Sequence, residues 1–126
     1  MRRMLIAEDD DRVRALVGSV LRQDGDKIEF AANGGEALER IQGGDYDCII
    51  LDLMMPTASG FEVLAWMHRE RRGVAARKVI VLTAMAGQSL GHLTPDRVFA
   101  VVRKPFDIDE LRETVRRCVS AEQTGA

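Results

Sequence analysis

One aspartate set in an apolar run constrains this chain more than any other feature. Ile49-Ile50-Leu51-Asp52-Leu53-Met54-Met55 is apolar except at Asp52, and Pro56 follows four residues after the acid. So short an apolar run, with β-branched members, reads as a strand buried on both faces. A carboxylate inside such a strand costs free energy unless something compensates it. The strand's C-terminal end resolves the conflict, because open parallel sheets hold their ligands there. In that position Asp52 is a candidate metal ligand or nucleophile; the plainer alternative is an acid opening the turn before Pro56.

Three other apolar runs end in polar chemistry. Leu5-Ile6-Ala7 leads into Glu8-Asp9-Asp10-Asp11, Val79-Ile80-Val81-Leu82 ends in Thr83, and Val98-Phe99-Ala100-Val101-Val102 leads into Arg103-Lys104-Pro105. If all four runs are parallel strands, one sheet edge collects Glu8, Asp9, Asp52, Thr83 and Lys104. Acids, a hydroxyl and an ammonium together make a site for a hard cation and a phosphoryl group.

Strands are predicted near 3–8, 27–31, 47–52, 78–83 and 98–102, and helices near 12–23, 35–42, 60–72, 87–93 and 107–120. Alternation of this kind argues for a parallel sheet covered on both faces. In the first helix Val13, Leu16, Val17, Val20 and Leu21 recur at helical spacing and predict its buried stripe. Asp107 is a candidate N-cap for the last helix, with Glu110 at capping-box spacing. Ile108, Leu111, Val115, Cys118 and Val119 form that helix's apolar face. The stretch from Met85 to Asp96 holds Gly87, Gly91 and Pro95, so the fourth helix is expected to be short and mobile. His92 and His68 read as solvated, and Trp66 and the methionines as packing.

A chain of 126 residues suits one domain with a real core. Its net charge of −2 provides no global field toward nucleic acid or membrane. The cluster Arg69, Arg71, Arg72, Arg77 and Lys78 is either a patch for an acidic partner or, more simply, a solvated helix end. No apolar stretch approaches the roughly 18 residues a spanning helix needs. The N-terminal run meets acids too soon for a signal peptide, which leaves the cytoplasm as the expected location. Cys48 and Cys118 read as small core residues in a reducing compartment.

Together these residues resemble the receiver domain of two-component response regulators. Five motifs carry the resemblance: Glu8-Asp9, Asp52 within Leu51–Pro56, Gly60-Phe61-Glu62-Val63-Leu64, Thr83-Ala84, and Lys104-Pro105-Phe106. It spans about Met4 to Val119 and implies a flavodoxin-like, doubly wound α/β fold. That fold has a five-stranded parallel sheet in the order 2-1-3-4-5, with five helices. Residues 1–121 would form the receiver and 122–126 a C-terminal tail. The resemblance implies Mg²⁺ on Asp9, Asp52 and the backbone carbonyl of Met54, with Glu8 acting through a bound water. It implies phosphorylation of Asp52 with Thr83 and Lys104 assisting, and a cis bond before Pro105. The phosphodonor would be a histidine kinase or histidine phosphotransfer protein, and the output would be binding of a downstream protein through the fourth-helix and fifth-strand face. Such a protein is not a turnover enzyme. With the chain ending soon after its last helix, no DNA-binding output domain and no membrane contact are expected. The family's switch aromatic usually stands three residues before the lysine, where this chain has Val101. Phe99, two residues earlier, would share Val101's face of a strand.

Two other function classes fit parts of the pattern. A small phosphohydrolase with an aspartate nucleophile usually carries a second acid two residues on, where this chain has Met54. An adaptor that keeps only the fold would not need intact acids, Thr83 and Lys104, although Val101 is compatible with it. A nucleotide-binding module is disfavoured, since no G-x-G-x-x-G follows the first strand.

Overall fold

The computed structural model describes residues 2–22, 26–85, 90–91 and 93–123. Its elements are, in chain order, β1 (Arg3–Ala7), α1 (Asp11–Leu21), β2 (Lys27–Ala31), α2 (Gly34–Gly43), β3 (Cys48–Asp52), α3 (Gly60–Glu70), α4 (Val74–Lys78), β4 (Val79–Thr83), β5 (Ala100–Arg103) and α5 (Ile108–Gln123). All strand pairs are parallel and the order is β2-β1-β3-β4-β5, as the resemblance implies. β2 lies to one side of β1 and β3 to the other, so the winding direction reverses between β1 and β3. Crevices open at such a reversal beyond the strands' C-terminal ends.

The period-two alternation of strand side chains splits the core into two layers. On one side Met4, Ile6, Ile50, Ile80 and Leu82 pack with Val17, Val20 and Leu21 of α1 and Leu111, Val115 and Val119 of α5. On the other, Leu5, Ala7, Ile49, Leu51, Val79 and Val81 pack with Ala37 and Ile41 of α2, Val63, Leu64 and Met67 of α3 and Ala75 of α4. β3 and β4 are buried along their whole length. Each fully buried Val, Leu or Ile contributes about 1.5–3 kcal/mol.

Polar caps set where the helices begin. Asp10 accepts from Arg12 N and Val13 N at the start of α1, and Ser59 and Glu62 form a reciprocal capping box on α3. Asp107 accepts from the backbone of Asp109 and Glu110 before α5. α3 starts hard against the end of β3. A Cβ at Gly60 would lie 2.4 Å from the carbonyl oxygen of Asp52, so only glycine fits there.

Several expectations are corrected. Leu16 is 43% exposed, because the buried stripe of α1 runs through Val17, Val20 and Leu21. α3 ends at Glu70, and Gly73, at a φ of 82°, opens the unanticipated five-residue α4 inside the basic cluster. Arg71 there lies over the Trp66 ring and reaches Asp45 at 4.0 Å, and Arg69 pairs with Glu70. His68 is not simply solvated, since its Nε2 is 2.9 Å from the carbonyl oxygen of Arg97. Phe99 does not share Val101's face. β5 starts only at Ala100, and Phe99 packs with the α1/α5 layer while Val101 packs on the α2/α3 side. Both cysteines are buried, and Trp66 packs against the core as expected. Of the helix expected near 87–93, only residues 90, 91 and 93 are described; His92 and the stretch 86–89 lie outside the described residues. α5 continues to Gln123, and residues 124–126 are likewise outside.

Candidate functional site

The crevice at the β1/β3 reversal is built from strand ends. β1 stops at Ala7, and the next residue, Glu8, is only 1% exposed. Its backbone N–H donates to Ala31 of β2, and its carbonyl oxygen accepts from Arg14 Nη1 at 2.8 Å. Those bonds direct the Glu8 carboxylate inward, where Oε2 accepts from Asp10 N. Asp52 closes β3 and is 4% exposed; its Oδ1 accepts from Met54 N at 3.1 Å. Asp9 stands at the exposed rim. Carboxylate oxygens of Glu8, Asp9 and Asp52 all lie within 4.8 Å of one another.

Lys104 enters from the end of β5. Its Nζ is 2.6 Å from Glu8 Oε1 and 3.4 Å from Asp52 Oδ2. The first contact is an ion pair without hydrogen-bond geometry, and Glu8 Oε1 is buried with no hydrogen-bond partner. Burial pushes the Glu8 carboxyl above its usual range, and nearby Asp52 adds to the rise, against the opposing pull of Lys104. For Lys104 burial acts downward, but Glu8 and Asp52 outweigh it and hold its ammonium above the ordinary lysine value. One lysine thus serves several acids, and the carboxylates remain undercompensated.

Thr83 ends β4 and is fully buried. Its carbonyl oxygen accepts from Lys104 N at 2.7 Å, which ties the ends of β4 and β5 together. Its Oγ1 accepts from Met85 N at 3.1 Å, and the hydroxyl proton is left to donate elsewhere. The Lys104–Pro105 bond is cis. Beside the acids, a cavity of about 440 Å³ is lined by Asp9, Met54, Met55, Phe61 and Met85, among others. Met54 is 63% exposed at this mouth.

Every residue picked from the sequence therefore stands at this edge: Glu8, Asp52 and Lys104 in direct contact, Asp9 at the rim, Thr83 bonded to Lys104, and Met54 to Asp52. Sequence reasoning missed Arg14, whose guanidinium holds the Glu8 carbonyl and pairs with Asp11. Its position one turn into α1 was the available signal. Oxygen donors alone, crowded and partly unsatisfied, suit a hard divalent cation.

Comparison with known proteins agrees with this picture. The model of the family described as the response regulator receiver domain matches residues 4–116. Sporulation initiation phosphotransferase F of Bacillus subtilis is 33% identical over 122 residues, covering 91% of this chain and 91% of that protein. The transcriptional regulatory protein TcrA of Mycobacterium tuberculosis is 35% identical, covering 90% of this chain but 44% of that protein. The chain spans about half the length of most of the curated relatives it matches. Among solved structures, the response regulator TrrA from Thermotoga maritima in complex with Mg(2+)-BeF is 35% identical, with a TM-score of 0.80, covering 94% of this chain and 99% of that one.

Proposed function

The chain belongs to the response regulator receiver domain family, and from that premise we propose that Asp52 accepts a phosphoryl group from the phosphohistidine of a kinase or phosphotransfer protein. The observation that carries this reading is the meeting of two acid-bearing strand ends on the lysine that follows a third, with Lys104 Nζ 2.6 Å from Glu8 and 3.4 Å from Asp52. Asp52 is the nucleophile: a carboxylate oxygen bonds to phosphorus as the phosphorus–nitrogen bond to the donor breaks. Such transfer depends on positioning and charge neutralisation more than on covalent help from the protein. Lys104 shifts from the carboxylates to a phosphoryl oxygen, and the Thr83 hydroxyl donates to another.

The donor set fits Mg²⁺. It is all oxygen, it clusters within 4.8 Å, and it holds a buried carboxylate oxygen without a hydrogen-bond partner. Asp9 and Asp52 would bind directly, the Met54 carbonyl would complete the protein's share, and Glu8 would act through a water. When bound, Mg²⁺ supplies positive charge to the acids and to a phosphoryl oxygen.

The output is a change in partner binding at the face formed by β5 and the segment after β4. Drawing the Thr83 hydroxyl to the phosphoryl group strains its bond from Met85 N, and the Thr83–Lys104 backbone bond carries the change into β5. Phe99 packs on the opposite layer from Val101, so this coupling does not run through Phe99. The protein acts in the cytoplasm on this reading. The test is intact mass after incubation with Mg²⁺ and acetyl phosphate. Wild type gains one phosphoryl mass and Asp52→Asn gains none; equal modification of both rejects the assignment.

A further inference from the structure

The loop from Leu53 to Ser59 joins the acid end of β3 to α3, and one of its residues is out of character. Thr57 has a φ of 68°, in the left-handed region that β-branched residues avoid. Such a conformation persists only where its surroundings over-determine it. Here the surroundings are the start of α2. Thr57 Oγ1 accepts from Gly35 N at 2.8 Å and donates to Asn33 Oδ1 at 3.1 Å, using both capacities of the hydroxyl. The neighbouring Pro56 carbonyl accepts from Gly34 N at 3.1 Å. The fit is tight, since a Cβ at Gly34 would fall 1.7 Å from the carbonyl oxygen of Ala58. The loop's other end is also fixed, because Gly60 N donates to the Leu53 carbonyl at 2.9 Å.

Only Met54 and Met55 lie between these two anchors. Met54 N already donates to Asp52 Oδ1. With both flanks pinned, few backbone torsions are left to turn the Met54 carbonyl. We propose that Thr57 is a positioning residue for the cation site: its hydroxyl clasp on Asn33 and Gly35 aims the Met54 carbonyl at the Asp9–Asp52 acids. The role is indirect, because Thr57 does not touch the acids. It resembles the outer-shell partners of metal ligands, whose loss weakens binding without removing a ligand. The proposal rests on the reading of Asp9, Asp52 and Met54 as the Mg²⁺ site.

The test is calorimetric titration of the full chain with Mg²⁺ alone, alongside thermal melts in chelator. Thr57→Ala should weaken Mg²⁺ binding about 10-fold, and Thr57→Ser, which keeps the hydroxyl, should restore wild-type affinity. Thr57→Gly relieves the left-handed backbone yet lacks the hydroxyl; it should fold at least as well as wild type and bind Mg²⁺ as weakly as Thr57→Ala. Wild-type affinity in Thr57→Gly, or a Thr57→Ser variant as weak as Thr57→Ala, overturns the role. Asp9→Ala separates the two levels. If it binds Mg²⁺ undiminished, the site itself is misassigned and the positioning role falls with it. If it loses Mg²⁺ while Thr57→Gly keeps it, only the positioning role fails.

Discussion

Two sites built around acids in this molecule have opposite charge balance. At the C-terminal edge of the sheet, Glu8 and Asp52 share the ammonium of Lys104, Asp9 has a carboxylate oxygen within 4.8 Å of theirs, and Glu8 Oε1 is left without a hydrogen-bond partner. Between β1, β2 and α2, one carboxylate is served by many donors. Glu29 accepts from Arg3 Nε and Nη2 at 3.0 and 2.7 Å, from Tyr46 OH at 3.0 Å, and from Arg40 at 3.3 Å. Arg3 also lies over the Tyr46 ring, 4.8 Å from its centroid. Burial raises the affinity of both acids for protons. At Glu29 the donors more than offset it and its carboxyl titrates below the usual range; at Glu8 they do not, and it titrates above. The lesson is that burial and charge do not by themselves mark a functional site. A satisfied cluster reads as structural, and a cluster short of positive charge reads as a place for something to bind.

The strongest way to break this contrast is to remove each acid in turn. Glu29→Ala should cost about 2 kcal/mol, because it leaves Arg3 and the buried Tyr46 hydroxyl without their acceptor. Glu8→Gln in metal-free buffer should raise stability instead, by about 1 kcal/mol, since Lys104 keeps Asp52 while a desolvated charge disappears. Urea midpoints measure both. If Glu8→Gln destabilises as much as Glu29→Ala, the two clusters are not different in kind.

Acidification sharpens the comparison without that surgery. Glu8 has a raised carboxyl in the folded state, so its contribution is complete below the unfolded value and is lost as pH rises through the folded one. Glu29 has a lowered carboxyl, so its contribution is present above the unfolded value and lost as pH falls through the folded one. Metal-free melts taken as pH falls toward the ordinary glutamate value should show a gain that Glu8→Gln abolishes. Further acidification below that value should show a loss that shrinks in Glu29→Ala. A gain unchanged in Glu8→Gln would assign the first window to another group.

The smallest effect concerns water. Met54 and Met85 line the mouth of the active cluster and offer an attacking water no strong hydrogen bond. Slow loss of the phosphoryl group from Asp52 is therefore expected. Met54→Asn should speed it about threefold, the worth of one modest hydrogen bond. Timed mass measurements after donor removal follow the decay, and an unchanged rate in both Met54→Asn and Met85→Glu would clear the methionines of any part in it.

Much of the architecture was legible because it is local. An apolar run of strand length, stopped by an acid, a threonine or a lysine, announces both a strand and which of its ends carries chemistry, and parallel pairing then brings those ends to one edge. That reasoning found Glu8, Asp9, Asp52, Thr83 and Lys104 without any knowledge of distance, and the family resemblance added Met54. It failed where a residue's neighbours come from elsewhere in the chain. Periodicity assigns Phe99 to Val101's face only if the strand already runs through it, and β5 begins one residue later. The same alternation cannot see that Leu16 turns outward, or that His68 meets a carbonyl 29 residues away.

The sequence by itself determined the alternation of strands with helices, the two-layered core and the set of polar residues at the strand ends, since each follows from side-chain period and turn chemistry along a few residues. Tertiary structure alone decided the charge balance. Glu8 follows an apolar run and opens an acidic one, which marks it from the chain alone, but nothing near Glu29 shows that its charge will be answered. Arg3 is 26 residues from Glu29, and Tyr46 is 17. Whether a buried carboxylate ends with a surplus of donors or a shortage depends on which distant segments the fold brings against it.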